Sequence, residues 1–139
     1  MHKWLILLCV LMLSACGAGT NNSASSTGSG DSTTAKEPET PREVIDAYMK
    51  AFCALDGLAL KRLSTKADQP EYDNFEEETS DLEKFEFEEL AWREEKGYWY
   101  FEFSQVAHFK DGKTDGDPRR ARYVVQEDGK WRVTTDEPK

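Results

Sequence analysis

Cysteines, histidines and grouped carboxylates are the residues of this 139-residue chain with chemistry to offer, and they are sparsely placed. Cys9, Cys16 and Cys53 stand far apart, and the two histidines, His2 and His108, have no others of their kind nearby. A zinc site needs three or four Cys, His or carboxylate ligands brought together, and no spacing here gathers them. Cys53 and His108 could meet as nucleophile and base, but no orienting motif accompanies them. Cys53 reads as a small apolar helix residue and His108 as a surface residue on the outward side of a strand. The segment "DGKTDGDP" sets out Asp111, Asp115, Gly116 and Asp117 in the manner of a calcium loop. Lys113 and Arg122, however, occupy the third and twelfth positions, where such a loop needs oxygen ligands, and a hairpin turn explains the same residues. No metal or cofactor is expected. Arg119, Arg120 and Arg122 form a basic cluster that either pairs across a sheet with acids such as Glu102 or holds an anion.

The acids are more concentrated. Residues 71–89 hold ten of them against Lys84 alone, which accounts for the whole excess behind the formal charge of -9. A chain so charged lacks the basic footprint that nucleic-acid binding requires, so nucleic acid is excluded as a partner. Glu76, Glu77, Glu78 and Asp81 are candidates for meeting a basic partner, with a solvated acidic face as the alternative.

The start of the chain has an organisation of its own. Lys3 precedes an apolar run from Trp4 to Leu13 of about ten residues, too short for the roughly 20 that cross a bilayer as a helix and laid out as an export signal. Leu13-Ser14-Ala15-Cys16 closes it. This motif resembles the lipobox of bacterial lipoproteins. The resemblance implies that Cys16 receives a diacylglyceryl group and becomes the first residue of the mature chain. Each buried methylene contributes about 0.8 kcal/mol and a single acyl chain binds reversibly, so two or three chains are needed to hold firmly. The expected location is the cell membrane, anchored by lipid on the extracytoplasmic face. Gly17 lacks the aspartate that lipoproteins of the resembled kind use for inner-membrane retention, which leaves the outer membrane open as a location if the cell has two membranes.

Residues 17–36 contain no aromatic residue and no aliphatic one larger than alanine. Such a segment buries too little to offset its conformational entropy and is expected to be a linker spanning roughly 25 Å. The expected division is therefore a signal peptide at 1–15, lipidated Cys16 and linker at 16–40, and one domain at 41–139.

Within that domain, Thr40, Pro41 and Glu43 announce a helix start, and Val44, Ile45, Tyr48, Phe52 and Leu55 recur at helical spacing. Asp56-Gly57 ends this helix, and a second short one places Leu60 and Leu63 inward. Residues 65–81, broken by Pro70, read as a loop or a short third helix. Phe85 and Phe87 begin an alternation that changes parity near Glu88 or Glu89, so a strand with an irregularity is expected there. Trp99, Phe101, Phe103, Ala107 and Phe109 share one face of the next strand, and Ala121, Tyr123 and Val125 share a face of the third. Asp128-Gly129 turns the chain into "KWRVTT". Helices followed by an antiparallel meander make an α+β fold, with two N-terminal helices on a curved sheet of about four strands.

"TPREVIDAYMKAFCALDGLALKRLS", "YWYFEFSQVAHFKDGK" and "VVQEDGKWRV" together resemble the nuclear transport factor 2-like (NTF2-like) superfamily, whose helices lie across a strongly curved sheet. That superfamily holds isomerases, dehydratases, ligand binders and interaction domains. Trp99, Phe101, Phe103, Gln105, Tyr123 and Trp131 are the candidate ligand-lining residues, and Gln105 and Glu89 are the polar residues assigned to the inner face. With no second inner group to support a catalytic acid, the expected function is non-enzymatic binding of a small ligand or an envelope protein. The alternatives are an isomerase- or dehydratase-like enzyme using the cone interior and a structural envelope protein without ligand.

Overall fold

The protein is described by a computed structural model covering residues 36–139. The signal segment, Cys16 and the linker to residue 35 lie outside the described residues. Helix α1 (Pro41–Cys53) starts where its capping residues dictate. The Glu43 amide donates to Thr40 Oγ1 at 3.2 Å, and the Glu43 carboxylate accepts from the Thr40 amide at 3.1 Å. Two otherwise orphaned amides are thereby satisfied. Val44, Ile45, Tyr48 and Phe52 are buried as the spacing predicts, and Met49 and Ala51 widen the stripe. Leu55 does not extend it: it lies beyond the helix with φ 56°, in the left-handed region.

Asp56 serves the next helix rather than closing the first. Its carboxylate accepts from the Ala59 amide at 3.0 Å and caps α2 (Gly57–Leu63), whose Leu60 and Leu63 are buried. A Cβ at Gly57 would stand 3.0 Å from the Phe75 ring, so glycine lets that ring rest against bare backbone. A 3-10 turn (Gln69–Tyr72) and the single-turn helix α3 (Phe75–Glu78) follow.

The sheet has the order β1 (Leu82–Glu94), β2 (Trp99–Phe109), β3 (Thr114–Glu127), β4 (Lys130–Thr134), antiparallel throughout. The expected irregularity in β1 falls at Leu90, between Glu89 and Ala91, slightly later than the sequence suggested. Before it, Phe85, Phe87 and Glu89 pair with Ala107, Gln105 and Phe103; after it, Trp92 pairs with Phe101. Without the extra residue Trp92 would point to the opposite face, because strand side chains alternate. A second shift separates the Phe103–Arg120 pair from the Gln105–Asp117 pair. It lies around Pro118, which has no amide to give to a ladder. Asp128 and Gly129, both at positive φ, form the turn before β4.

The helices cover one face of this sheet. Phe52 stacks on Phe85 at 4.3 Å and meets Phe103 edge-on at 6.4 Å, while Phe101 lies 5.5 Å from Phe103. Phe101, Phe103, Val124 and Val133 are the fully buried strand residues of this core. The loop after α2 is tied to the chain's end by buried Asp68, which accepts from Thr65 Oγ1 at 2.9 Å, Thr135 N at 3.2 Å and Thr135 Oγ1 at 3.1 Å. Residues 36–40, which the sequence assigns to the linker, also touch the domain, since Glu37 accepts from Arg132 of β4. Among the described residues, no helix is long and apolar enough to cross a membrane.

Candidate functional site

Alternation along β2 and β3 decides which side chains face the helices. On β2 these are Trp99, Phe101, Phe103 and Gln105; on β3 they are Arg122 and Val124. Four of the sequence-predicted lining residues (Trp99, Phe101, Phe103, Gln105) thus share the inner face, and Trp131 packs against the same core from β4. Tyr123 does not join them. Its neighbours Arg122 and Val124 are the buried residues of β3, so Tyr123 faces the opposite side. There it packs beside Tyr98 and Tyr100 at centroid distances of 5.8 and 5.7 Å. The alternation put Ala121, Tyr123 and Val125 together correctly, but nothing in it said that an arginine would take the buried side.

The inner face carries three polar features. Tyr48 of α1 accepts from Arg122 Nε at 3.1 Å and lies 2.7 Å from the Tyr72 hydroxyl, which joins α1, the 3-10 turn and β3. Burial pushes the Tyr72 phenol up, and the neighbouring Tyr48 adds to the effect, which keeps the Tyr72 hydroxyl protonated. Arg122 Nη1 donates to the Ala121 carbonyl at 2.8 Å, and the guanidinium carbon lies 5.7 Å from the Phe103 centroid.

The second feature is the pair formed by Glu89 and Arg42 of α1, with contacts of 3.0 and 2.7 Å. The Arg42 hydrogen bonds hold the Glu89 carboxyl below its ordinary range. The third feature is Gln105, whose Oε1 is buried without a partner. Sequence reasoning placed Glu89 and Gln105 on this face but missed the hydroxyl pair of Tyr48 and Tyr72, because an aromatic at helical spacing, as Tyr48 is, signals only burial, and Tyr72 falls in a stretch read as a loop or short helix.

The acidic candidates lie elsewhere. Glu76 and Glu77 of α3, with Gly57, Leu58, Tyr72, Asp73 and Asn74, line a groove of about 420 Å³. Leu58 stands 79% exposed beside it. Glu78 and Asp81 are not among the groove residues. Lys61 reaches Asp73 at 2.5 Å, leaving the glutamates as the unpaired charges of the rim among the described residues.

The remaining reactive types stay apart. Burial raises the Cys53 thiol, with Glu86 adding to the effect, which disfavours thiolate. His108 shares a hydrogen bond with Glu86 at 3.0 Å, and none joins it to Cys53. Of the basic cluster, Arg119 pairs with Glu102 and Arg120 with Asp117 at 3.8 Å, while Arg122 turns inward. Asp111 closes the hairpin turn by accepting from the Lys113 amide at 2.9 Å, and Asp115 and Asp117 lie in β3. Among the described residues, no group of three or more His, Cys, Asp or Glu is arranged to hold a metal ion.

No protein-family model matches the sequence, and no curated protein does. Solved structures do match. The NTF2 variant Rd1NTF2_05 aligns with a TM-score of 0.53 at 10% identity, covering 66% of this chain and 90% of its own. A SEC-C motif-containing protein from Rhodopseudomonas palustris aligns with a TM-score of 0.55 at 13% identity, covering 68% and 75%. The fold is NTF2-like. An NTF2-like protein of unknown function from Burkholderia pseudomallei also matches, at a TM-score of 0.48 and 9% identity over 69% of this chain and 90% of that one. At such identities an NTF2-like likeness speaks for the fold alone.

Proposed function

We propose that this chain is a lipid-anchored extracytoplasmic protein, fastened through Cys16, whose NTF2-like domain binds a partner protein at the groove beside Leu58. The observation that carries the binding reading is the exposure of Leu58, 79% open to water at the edge of a groove rimmed by Asp73, Glu76 and Glu77. An apolar anchor ringed by one sign of charge suits a partner segment that offers an apolar contact flanked by Lys or Arg. The inner face is a less suitable receptor for a bulky molecule, since Phe101 and Phe103 already fill it at 1% and 0% exposure. The anchoring reading rests on the apolar run and on Leu13-Ser14-Ala15-Cys16.

The binding reading is tested by affinity purification from detergent-solubilised membranes, comparing the parent with Leu58→Asp and with the double variant Glu76→Lys, Glu77→Lys. A partner recovered with the parent and lost from both variants is the expected result. Equal recovery from all three refutes the groove. For the anchor, Cys16→Ser is expected to lose acyl incorporation and signal removal. A variant processed and membrane-bound like the parent refutes it.

A further inference from the structure

Apart from the groove, we propose that the free edge of β1 takes an extended, lysine- or arginine-rich segment of a partner protein as a fifth strand, separately from binding beside Leu58. The two edges of the sheet differ. On the far side of β4, Ser64 bridges Val133, and the Thr65 amide donates to the Val133 carbonyl at 2.9 Å. β1 pairs with β2 alone, and no strand among the described residues lies along its other side. Between its two register shifts, Lys84 to Glu89 run regularly against His108 to Phe103. Alternate residues of such a stretch aim their amides and carbonyls away from the sheet, which is a template for one more strand. Long open edges are usually blunted by proline, by lysines or by shortness. β1 is 13 residues long, contains no proline and has Lys84 as its one lysine.

Charge and exposure name the occupant. Glu86 and Glu88 lie on the sheet face turned away from the helices, whereas Phe87 lies on the other and meets Phe101 and Phe103 edge-on. Lys84 is engaged by Glu86 at 2.7 Å, and Arg93, further along, by Glu95. Glu83, Glu88 and Glu94 make no ion pair among the described residues, so the free charges of this edge are all negative. A second copy of β1 laid antiparallel would bring Glu86 and Glu88 near their own counterparts, and like charges across strands are destabilising. A segment alternating Lys or Arg with apolar residues instead sets cations beside Glu86 and Glu88. Its apolar side then lies beside Phe87 and near Leu90, which are 37% and 46% exposed. Main-chain hydrogen bonds supply the affinity of such an added strand, and the alternating side chains its specificity.

The probe is a fluorescently labelled peptide, Lys-Thr-Lys-Val-Lys-Val-Lys-Thr-Lys, titrated at constant ionic strength into the full chain in nonionic detergent and followed by anisotropy. Saturable binding is expected, with amide hydrogen exchange slowed across residues 84–89 and unchanged in β4. The same peptide N-methylated throughout keeps its charge but cannot pair as a strand, and should bind about tenfold more weakly. Glu88→Lys, at an exposed position, should weaken the unmethylated peptide by about fivefold. Leu58→Asp should leave it unchanged, which separates this edge from the groove. Absence of saturable binding, equal binding of the N-methylated peptide, undiminished binding by Glu88→Lys, loss in Leu58→Asp, or exchange protection confined to other residues would each overturn the proposal. Self-association of the chain in sedimentation, with residues 84–89 protected before peptide is added, would also overturn it, since the edge would then belong to a second copy.

Discussion

Replacing Tyr48 by Phe removes a single oxygen and should destabilise the domain more than an ordinary lost hydrogen bond. That oxygen accepts from Arg122 Nε at 3.1 Å and exchanges a hydrogen bond with Tyr72 at 2.7 Å. Tyr48 is 1% exposed, so water cannot take its place without rearrangement. A neutral hydrogen bond contributes about 0.5–1.5 kcal/mol net, and one to a charged group about 1.5–3 kcal/mol. The two together give about 2–4 kcal/mol, equivalent to roughly 10 °C or more in Tm for a domain of about 100 residues. Urea unfolding followed by tryptophan fluorescence measures this loss. The comparison variant is Tyr72→Phe, which removes only the neutral bond and should cost about 1 kcal/mol. The double variant Tyr48→Phe, Arg122→Met should be less destabilised than the sum of the singles, because the buried donor left unpaired is then gone. A Tyr48→Phe variant within 0.5 kcal/mol of the parent would refute the idea that this hydroxyl holds the guanidinium.

Further expected outcomes follow from the same structure. Phe103→Ala empties a fully buried site contacted by Phe52 and Phe101, and should lower unfolding free energy by about 3–5 kcal/mol in chemical denaturation. Glu89→Gln breaks the pair with Arg42 and should cost no more than about 1 kcal/mol at neutral pH, the pair being partly exposed. The folded-state pKa of Glu89 is depressed, so its contribution is complete above the unfolded value near 4.3 and disappears as pH falls through the lower folded value. Unfolding curves of parent and Glu89→Gln measured from pH 7 down to pH 3 should therefore converge in acid. Thr40→Ala removes the oxygen that caps α1 and should cost about 1 kcal/mol, read as a fall in Tm by circular dichroism.

Much of the fold can be read in the chain because its local signals agree. Thr40 with Glu43 sets the first helix, Asp128-Gly129 sets the last turn, and the alternation from Trp99 to Phe103 sets the buried face of β2. Each depends on residues within a few positions of one another, where spacing and backbone preference suffice. The lipobox-like Leu13-Ser14-Ala15-Cys16 is likewise a local pattern; it lies outside the described residues, and the proposed anchor rests on it.

Long-range contacts were not legible in this way. Leu90 reverses the faces of β1 because the pairing with β2 places the extra residue there. Asp56 changed role from ending one helix to capping the next. Tyr123 and Arg122 exchange their expected sides because the core of β3 continues from Val124, and an arginine becomes a buried residue only when Tyr48, 74 positions away, meets it. Sequence alone thus determined the elements, their order and the charge imbalance of residues 71–89. Tertiary structure decided which polar groups were enclosed and which were left without partners, because burial and hydrogen-bond satisfaction arise from segments brought together only on folding.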